Sequence, residues 1–260
     1  MKYTISSSLF CFFILLLAGE SLFPLRRRTR QFSERFVINM FMTVLVFTAG
    51  ALTVRRAALA QAQWALQHNF GLVLKIPLPA IVQSSIGFVL MDATFYYWHR
   101  AHHKIPILWR FHKVHHIDPD LDVSTAFRFH FVEILYSTGF RVVQVLLLGI
   151  TPITYIIYEI VFQCANMFHH SNLRLPDVLE RLLNIFIVTP RMHGIHHSQI
   201  RNETNSNYSV VFRCWDWLHR TLRLDVPQES INIGVKGYLQ KEDNRLWNLM
   251  IMPFRKSRLT

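Results

Sequence analysis

Residues 92–116 read D-A-T-F-Y-Y-W-H-R-A-H-H-K-I-P-I-L-W-R-F-H-K-V-H-H, and residues 189–198 read T-P-R-M-H-G-I-H-H-S. Each stretch holds H-x-x-H-H: His112, His115 and His116 in the first, His193, His196 and His197 in the second. On a helix, steps of three and four residues return to nearly the same face. Each triplet is therefore expected to aim three imidazoles into an arc of roughly 100°. His99 and His103 stand four apart and share a face in the same way, with His102 beside them. Neutral imidazole suits Fe, Zn, Cu and Ni. At 14 His in 260 residues, chance gives roughly 0.04 copies of H-x-x-H-H, so two copies point to ligands. Lone histidines such as His68 and His219 read as core or surface residues.

The ligand type narrows the metal. The chain has no C-x-x-C, which argues against a thiolate zinc site or an Fe–S cluster, and no H-E-x-x-H for a zincin protease. Eight or more imidazoles would overfill one tetrahedral zinc, so two metal ions sharing them is the simpler arrangement.

Composition places this site in a membrane protein. Apolar residues make up 51%, charged residues 17%, and the net charge is +12. The basic residues flank apolar runs and form no long polar patch, so they read as juxtamembrane charges facing anionic lipid; nucleic acid is not an expected partner. Cys11, Cys164 and Cys214 are too dispersed to form a disulfide framework.

Around the histidines, the chain alternates apolar runs with polar turns. Residues 5–23 are long enough to span a bilayer. With only Lys2 before them and Arg26, Arg27, Arg28 and Arg30 after, they read as a retained anchor; a signal peptide is the rival. Residues 36–54 form a second expected span, and 57–68 an interfacial helix. Residues 80–98 form a third, closing on the aromatic belt Phe95, Tyr96, Tyr97 and Trp98. Asp92 lies inside it, two helical turns before His99. It is expected to orient a ligating His or to pair with an Arg. Asp118-Pro119-Asp120 reads as a turn. Residues 131–168 read as a membrane hairpin broken at 149–152, after which the chain is mostly soluble. With the Arg-rich loop 26–35 in the cytoplasm, every histidine cluster emerges on the cytoplasmic side. The expected fold is an all-α, polytopic membrane helical bundle of about four to five spans with a cytoplasmic histidine-rich helical cap. Residues 1–80 supply N-terminal spans and an interfacial segment, 81–222 the catalytic region, and 223–260 a cytoplasmic tail.

These motifs resemble the fatty acid hydroxylase/sterol desaturase superfamily. The resemblance covers about residues 85–222. It rests on Asp92, Tyr97, Trp98, His99, Arg100 and His103, on both H-x-x-H-H triplets, and on Arg128 to Glu133, Phe168 to Asn172, Asn207-Tyr208 and Trp215-Asp216. Members are integral-membrane, non-haem di-iron oxygenases that use O2 and an external electron donor to hydroxylate or desaturate unactivated C–H bonds of lipids. The resemblance implies His99, His103, His112, His115, His116, His130, His170, His193, His196 and His197 as ligands of two iron ions. His102 and His169 fall on variable positions. Asp92, Glu133 and Asp216 are candidates for fixing imidazole tautomers from behind. The chain departs from the pattern at Phe131 (often Pro), at Ser209 (usually Gly) and at Leu218-His219-Arg220-Thr221 in place of L-F-G-T.

No G-x-G-x-x-G or Fe–S cysteine set supplies electrons. A separate electron-donor protein is therefore expected, with the basic cytoplasmic face docking an acidic partner. The alternative class is a membrane metal-binding or transport protein, which would set its ligands along a mid-membrane path. A membrane haem protein would need histidine pairs within the spans.

Overall fold

A computed structural model describes the backbone of residues 2–258 and the side chains of residues 7–258; Lys2 and the start of the first apolar run fall outside the described side chains. The fold is helical, and β pairing among the described residues is confined to isolated bridges. The longer helices are α1 (Lys2–Leu22), α2 (Phe32–Leu52), α3 (Val54–Gln67), α4 (Ala80–Lys104), α5 (Pro106–His116), α6 (Phe131–Leu148), α7 (Pro152–His170), α8 (Asp177–Leu183) and α9 (Pro190–His196), followed by shorter helical turns.

Only Thr53 parts α2 from α3, and together they form one apolar stretch, Phe32–Gln67. The second span and the interfacial helix 57–68, read as separate in the sequence, thus run on as one nearly continuous helical stretch. Among the described residues this stretch and α6 are long and apolar enough to cross a membrane, and Ser7–Leu22 is a shorter apolar helix. Helices α4 and α7 form where spans were expected, but they are not apolar throughout. Asp92 on α4 and Glu159, Gln163 and Asn166 on α7 interrupt them. The outward faces carry exposed Phe10, Leu15, Val37, Phe41, Val44, Val143, Leu147, Ile157 and Val161. An apolar exposed surface this extensive marks contact with something other than water.

The α6–α7 hairpin closes where the sequence indicated. Gly149 caps α6 at φ 70°, Thr151 caps α7 by accepting from the Thr154 N–H, and Pro152 opens it. The turn packs backbone to backbone on Gly71, with Leu72 and Val73 donating to Leu147 O and Leu148 O. A Cβ at Gly71 would overlap the Gly149 backbone.

At the opposite end the helix termini converge on the histidines. Glu20, buried at the end of α1, accepts from Val123 N at 3.0 Å and Asn172 N at 2.7 Å. Arg35, at the start of α2, is buried. It donates to Asp118 and Asp122, both at 2.7 Å, and to Asp120 O at 2.8 Å. Burial alone would raise the Asp118 carboxyl, but Arg35 and Arg128 outweigh it and hold it at about 2. Arg26 also turns inward, its Nη2 donating to Pro190 O at 2.9 Å and Gln228 Oε1 at 2.5 Å. Arg26 and Arg35 are therefore not lipid-facing charges as the composition suggested. Buried carboxylates and carbonyls draw them in, because such groups are costly to leave unpaired. Gly194 makes room for the Arg26 guanidinium, which lies where a Cβ would stand.

Candidate metal centre

Nine of the ten expected ligands meet in two adjoining groups. His99, His103, His112, His116 and His196 form the first, and His115, His170, His193 and His197 the second. Within each group the facing ligand atoms lie within 4.8 Å of one another. Each H-x-x-H-H divides between the groups instead of serving one. His112 and His116 are four apart and about 40° apart around α5, whereas His115 and His116 differ by about 100°. The two groups read those two faces. On α9, His193 and His197 go to the second group and His196 to the first.

His130 is not among them. Its Nδ1 accepts from Val132 N at 3.2 Å, capping α6, and its Nε2 lies 3.1 Å from Met250 O. The pattern placed it near the site, but the helix start claims its ring. His102 has both nitrogens engaged, with Trp98 O and Tyr136 Oη, each at 2.9 Å. His169 meets Val210 O at 3.2 Å and packs against His193.

The hydrogen bonds fix which nitrogen each ring presents. A carbonyl oxygen only accepts, so a ring nitrogen bonded to one carries the proton. His99 Nδ1 donates to Tyr208 O at 2.7 Å, His196 Nδ1 to Ser206 O at 2.7 Å, and His170 Nδ1 to Asn166 O at 2.8 Å. His112 Nδ1 donates to Glu133 Oε1 at 2.9 Å. Each leaves an Nε2 lone pair facing inward. His99 Nε2 and His196 Nε2 then stand 3.1 Å apart with no proton between them. Two facing lone pairs repel, and a cation between them removes the conflict. His103 Nε2, His112 Nε2, His115 Nδ1, His193 Nδ1 and both nitrogens of His116 and His197 are buried without a hydrogen-bond partner. Leaving so many buried polar atoms unpaired is costly unless something else binds them. The donor set, all imidazole nitrogen, fits a transition metal, iron among them, and each of the two groups offers enough ligand atoms to hold an ion.

Burial keeps the rings neutral. It holds His112, His170 and His196 at about 3. Burial and then neighbouring imidazoles push His99, His103, His115, His116, His193 and His197 well below the ordinary 6.5. Neutral imidazole is the form that binds metal.

Of the three expected acids, only Glu133 touches a ligand ring. Asp92 accepts from Val211 N, Phe212 N and Trp215 Nε1, and it contacts neither a ligating His nor an Arg by hydrogen bond. Asp216 accepts from Tyr208 N and Ser209 N, both at 2.8 Å, and from Thr221 Oγ1. The two acids staple segment 208–212 in place. That segment's carbonyls in turn orient His99 and His169. Sequence reasoning missed these carbonyls, because a backbone acceptor leaves no residue signature; the Asn207-Tyr208 pair was the nearest trace.

A cavity of about 390 Å³ reaches the histidines between α2, α3, α4, α6 and α7. Its walls near the site are Phe95, Trp98, Phe129 and Ile134, and Phe129 stacks on His115 at 4.3 Å.

The fatty acid hydroxylase profile matches residues 84–221. The chain is 31% identical over 163 residues to ornithine lipid hydroxylase OlsE of Rhizobium tropici, covering 63% of this chain and 48% of that one. It is 32% identical over 156 residues to cholesterol 25-hydroxylase of Rattus norvegicus, covering 59% and 51%. It is 31% identical over 151 residues to alkylglycerol monooxygenase of Homo sapiens, covering 57% and 32%. The chain thus spans about half the length of the first two relatives. No solved structure matches. The matched region contains both histidine groups, every staple of segment 208–212 and the cavity's α4, α6 and α7 walls, and on that ground the chain belongs to the fatty acid hydroxylase family.

Proposed function

We propose that the protein is a membrane-bound non-haem di-iron oxygenase that hydroxylates, or desaturates, an unactivated C–H bond of a lipid with O2 and electrons from a separate donor protein. The observation that carries this reading is the facing pair His99 Nε2 and His196 Nε2, both stripped of protons by carbonyl acceptors. His99, His103, His112, His116 and His196 would hold one ion; His115, His170, His193 and His197 would hold the other. Bound iron would supply the redox chemistry that activates O2 toward an aliphatic C–H bond.

The protein's own share is geometry and exclusion of water. Tyr208 O, Ser206 O, Asn166 O and Glu133 hold four rings in one tautomer. Buried imidazoles bind without bringing net charge beside an apolar substrate. The cavity, walled by phenylalanines and isoleucines, admits a lipid tail laterally to the histidines. We place α1, the α2–α3 stretch, α4 as far as Trp98, α6, and α7 as far as Phe168 in the bilayer, with the histidines beyond them on the cytoplasmic side. Exposed Arg27, Arg30, Lys236, Arg255 and Lys256 supply a basic face for an acidic electron donor. Three relatives are named for hydroxylation or monooxygenation of an ornithine lipid, cholesterol and an alkylglycerol, which supports a lipid substrate. A transport role is less well supported, since the histidines cluster at helix ends.

Lipid vesicles containing the iron-loaded protein, a reducing system and isotopically labelled O2 test the reaction. A lipid alcohol carrying the label, or a new alkene, is expected by mass spectrometry. Neither product under turnover conditions would overturn the proposal.

A further inference from the structure

The cavity has a second polar end that the metal centre does not use. Away from the histidines it is lined by Arg55, Arg141, Glu159 and Gln163, with Phe95, Phe140, Ile156, Ile160 and Phe162 between the two ends. Arg141 stands eight residues along α6 from Glu133, and Gln163 and Glu159 stand seven and eleven residues along α7 from His170. At the helical rise this puts the polar end ~10–16 Å from the imidazoles.

Arg141 is held firmly. Its Nη2 lies 3.1 Å from Glu159, its Nη1 donates to Gln144 Oε1 at 2.6 Å, and its guanidinium sits over the Tyr158 and Phe95 rings. Glu159 Oε1 is the oxygen that faces Arg141 Nη2, whereas the neighbouring Gln163 Oε1 is buried and accepts no hydrogen bond. An ion pair serving only to tie α6 to α7 needs no such amide beside it; here an unpaired acceptor lines the same cavity. Ionisable groups among apolar helices are costly and mark function.

Resting on the hydroxylase reading above, we propose that Arg141, Glu159 and Gln163 form a polar anchor for the hydroxyl group of the lipid substrate. The anchor sets which carbon, ~10–16 Å along the molecule, reaches the histidines. A hydroxyl matches the site because it donates to the free Gln163 Oε1 and accepts from the guanidinium. A carboxylate would face Glu159 and an ammonium would face Arg141, each bringing net charge into a pair that is already neutral. Arg55, exposed at the rim, stays solvated. The spacing suits an alkyl chain of roughly ten carbons or a sterol skeleton of equal length.

The test is equilibrium binding to the full-length detergent-purified protein, with radiolabelled hexadecan-1-ol in one arm and a radiolabelled sterol in the other. Each is competed by its own methyl ether, by palmitate and by hexadecylamine. In at least one arm the alcohol is expected to bind about tenfold tighter than its ether and than either charged competitor. The arm that responds says whether a chain or a ring skeleton fits. In Arg141→Met/Glu159→Leu, which replaces the pair by apolar groups, and in Gln163→Leu, the preference should shrink toward one while metal content is unchanged. No preference for either alcohol, tighter binding of palmitate or hexadecylamine, or a preference intact in both variants would overturn the anchor. Binding needs no turnover, so a protein that binds the alcohol but oxidises nothing would refute the hydroxylase reading and leave the anchor standing.

Discussion

Replacing Glu133 by alanine probes how the chain sets one ligand ring. Glu133 Oε1 is the acceptor for His112 Nδ1 at 2.9 Å, and it leaves His112 Nε2 as the nitrogen turned to the first group. Without that carboxylate the Nδ1–H is unpaired in a buried site, a penalty of ~1–3 kcal/mol, and the ring is free to change tautomer. Loss of a partner behind a ligand typically weakens metal affinity ~10–100-fold, or ~1.4–2.8 kcal/mol. Glu133→Gln keeps a carbonyl acceptor and should lose less than about tenfold. His130→Ala is the control, because that ring belongs to neither group. Competition between the purified protein and a chelator of known affinity reads all three variants. Wild-type affinity in Glu133→Ala, or an equal loss in His130→Ala, would refute the reasoning.

Other regions make independent predictions. Arg220 sits at φ 55° where the family pattern has glycine. Arg220→Gly should therefore raise stability by ~1 kcal/mol in a thermal melt, and a destabilised variant would contradict that strain. Arg35→Ala leaves Asp118 and Asp122 buried without their guanidinium. It should cost ~3–5 kcal/mol, and a loss below about 1 kcal/mol would show the network to be dispensable. The metal-free protein should weaken in acid. His112, His170 and His196 titrate at about 3 when folded and near 6.5 when unfolded. Below pH 6.5 the unfolded chain takes up protons that the folded chain refuses, so stability is complete above 6.5 and declines from there toward 3. A melting temperature unchanged between pH 7 and pH 5 would contradict this. Docking of an acidic electron donor to the basic face should weaken steeply with salt in a binding titration; a salt-independent affinity would remove the electrostatic steering.

The helices and the histidines were legible from the sequence because each rests on local periodicity. The spacing of His112, His115 and His116 fixes relative directions on any helix, and Gly149-Ile150-Thr151-Pro152 contains its own C-cap, N-cap and first-turn proline. The division of each triplet between two groups was not legible. It depends on α5 and α9 facing each other, which only the packed bundle defines. Hydropathy likewise counts residues without seeing their faces. It led to the expectation of spans over α4 and α7 but did not show that Asp92 turns to the Val211 and Phe212 amides, or that Glu159 lines the cavity. The inward arginines misled for the same reason. Arg26 and Arg35 look juxtamembrane until Pro190 O and the 118–122 carboxylates, distant in sequence, come within reach.

The central claim is that nine converging imidazoles hold two iron ions. Metal analysis of the full-length protein, purified in detergent without added metal, tests it most directly, with His196→Ala and His130→Ala alongside. The account predicts about two irons per chain, one for each histidine group, with a loss in His196→Ala and none in His130→Ala. Zinc alone, or no metal above the His196→Ala level, would contradict it.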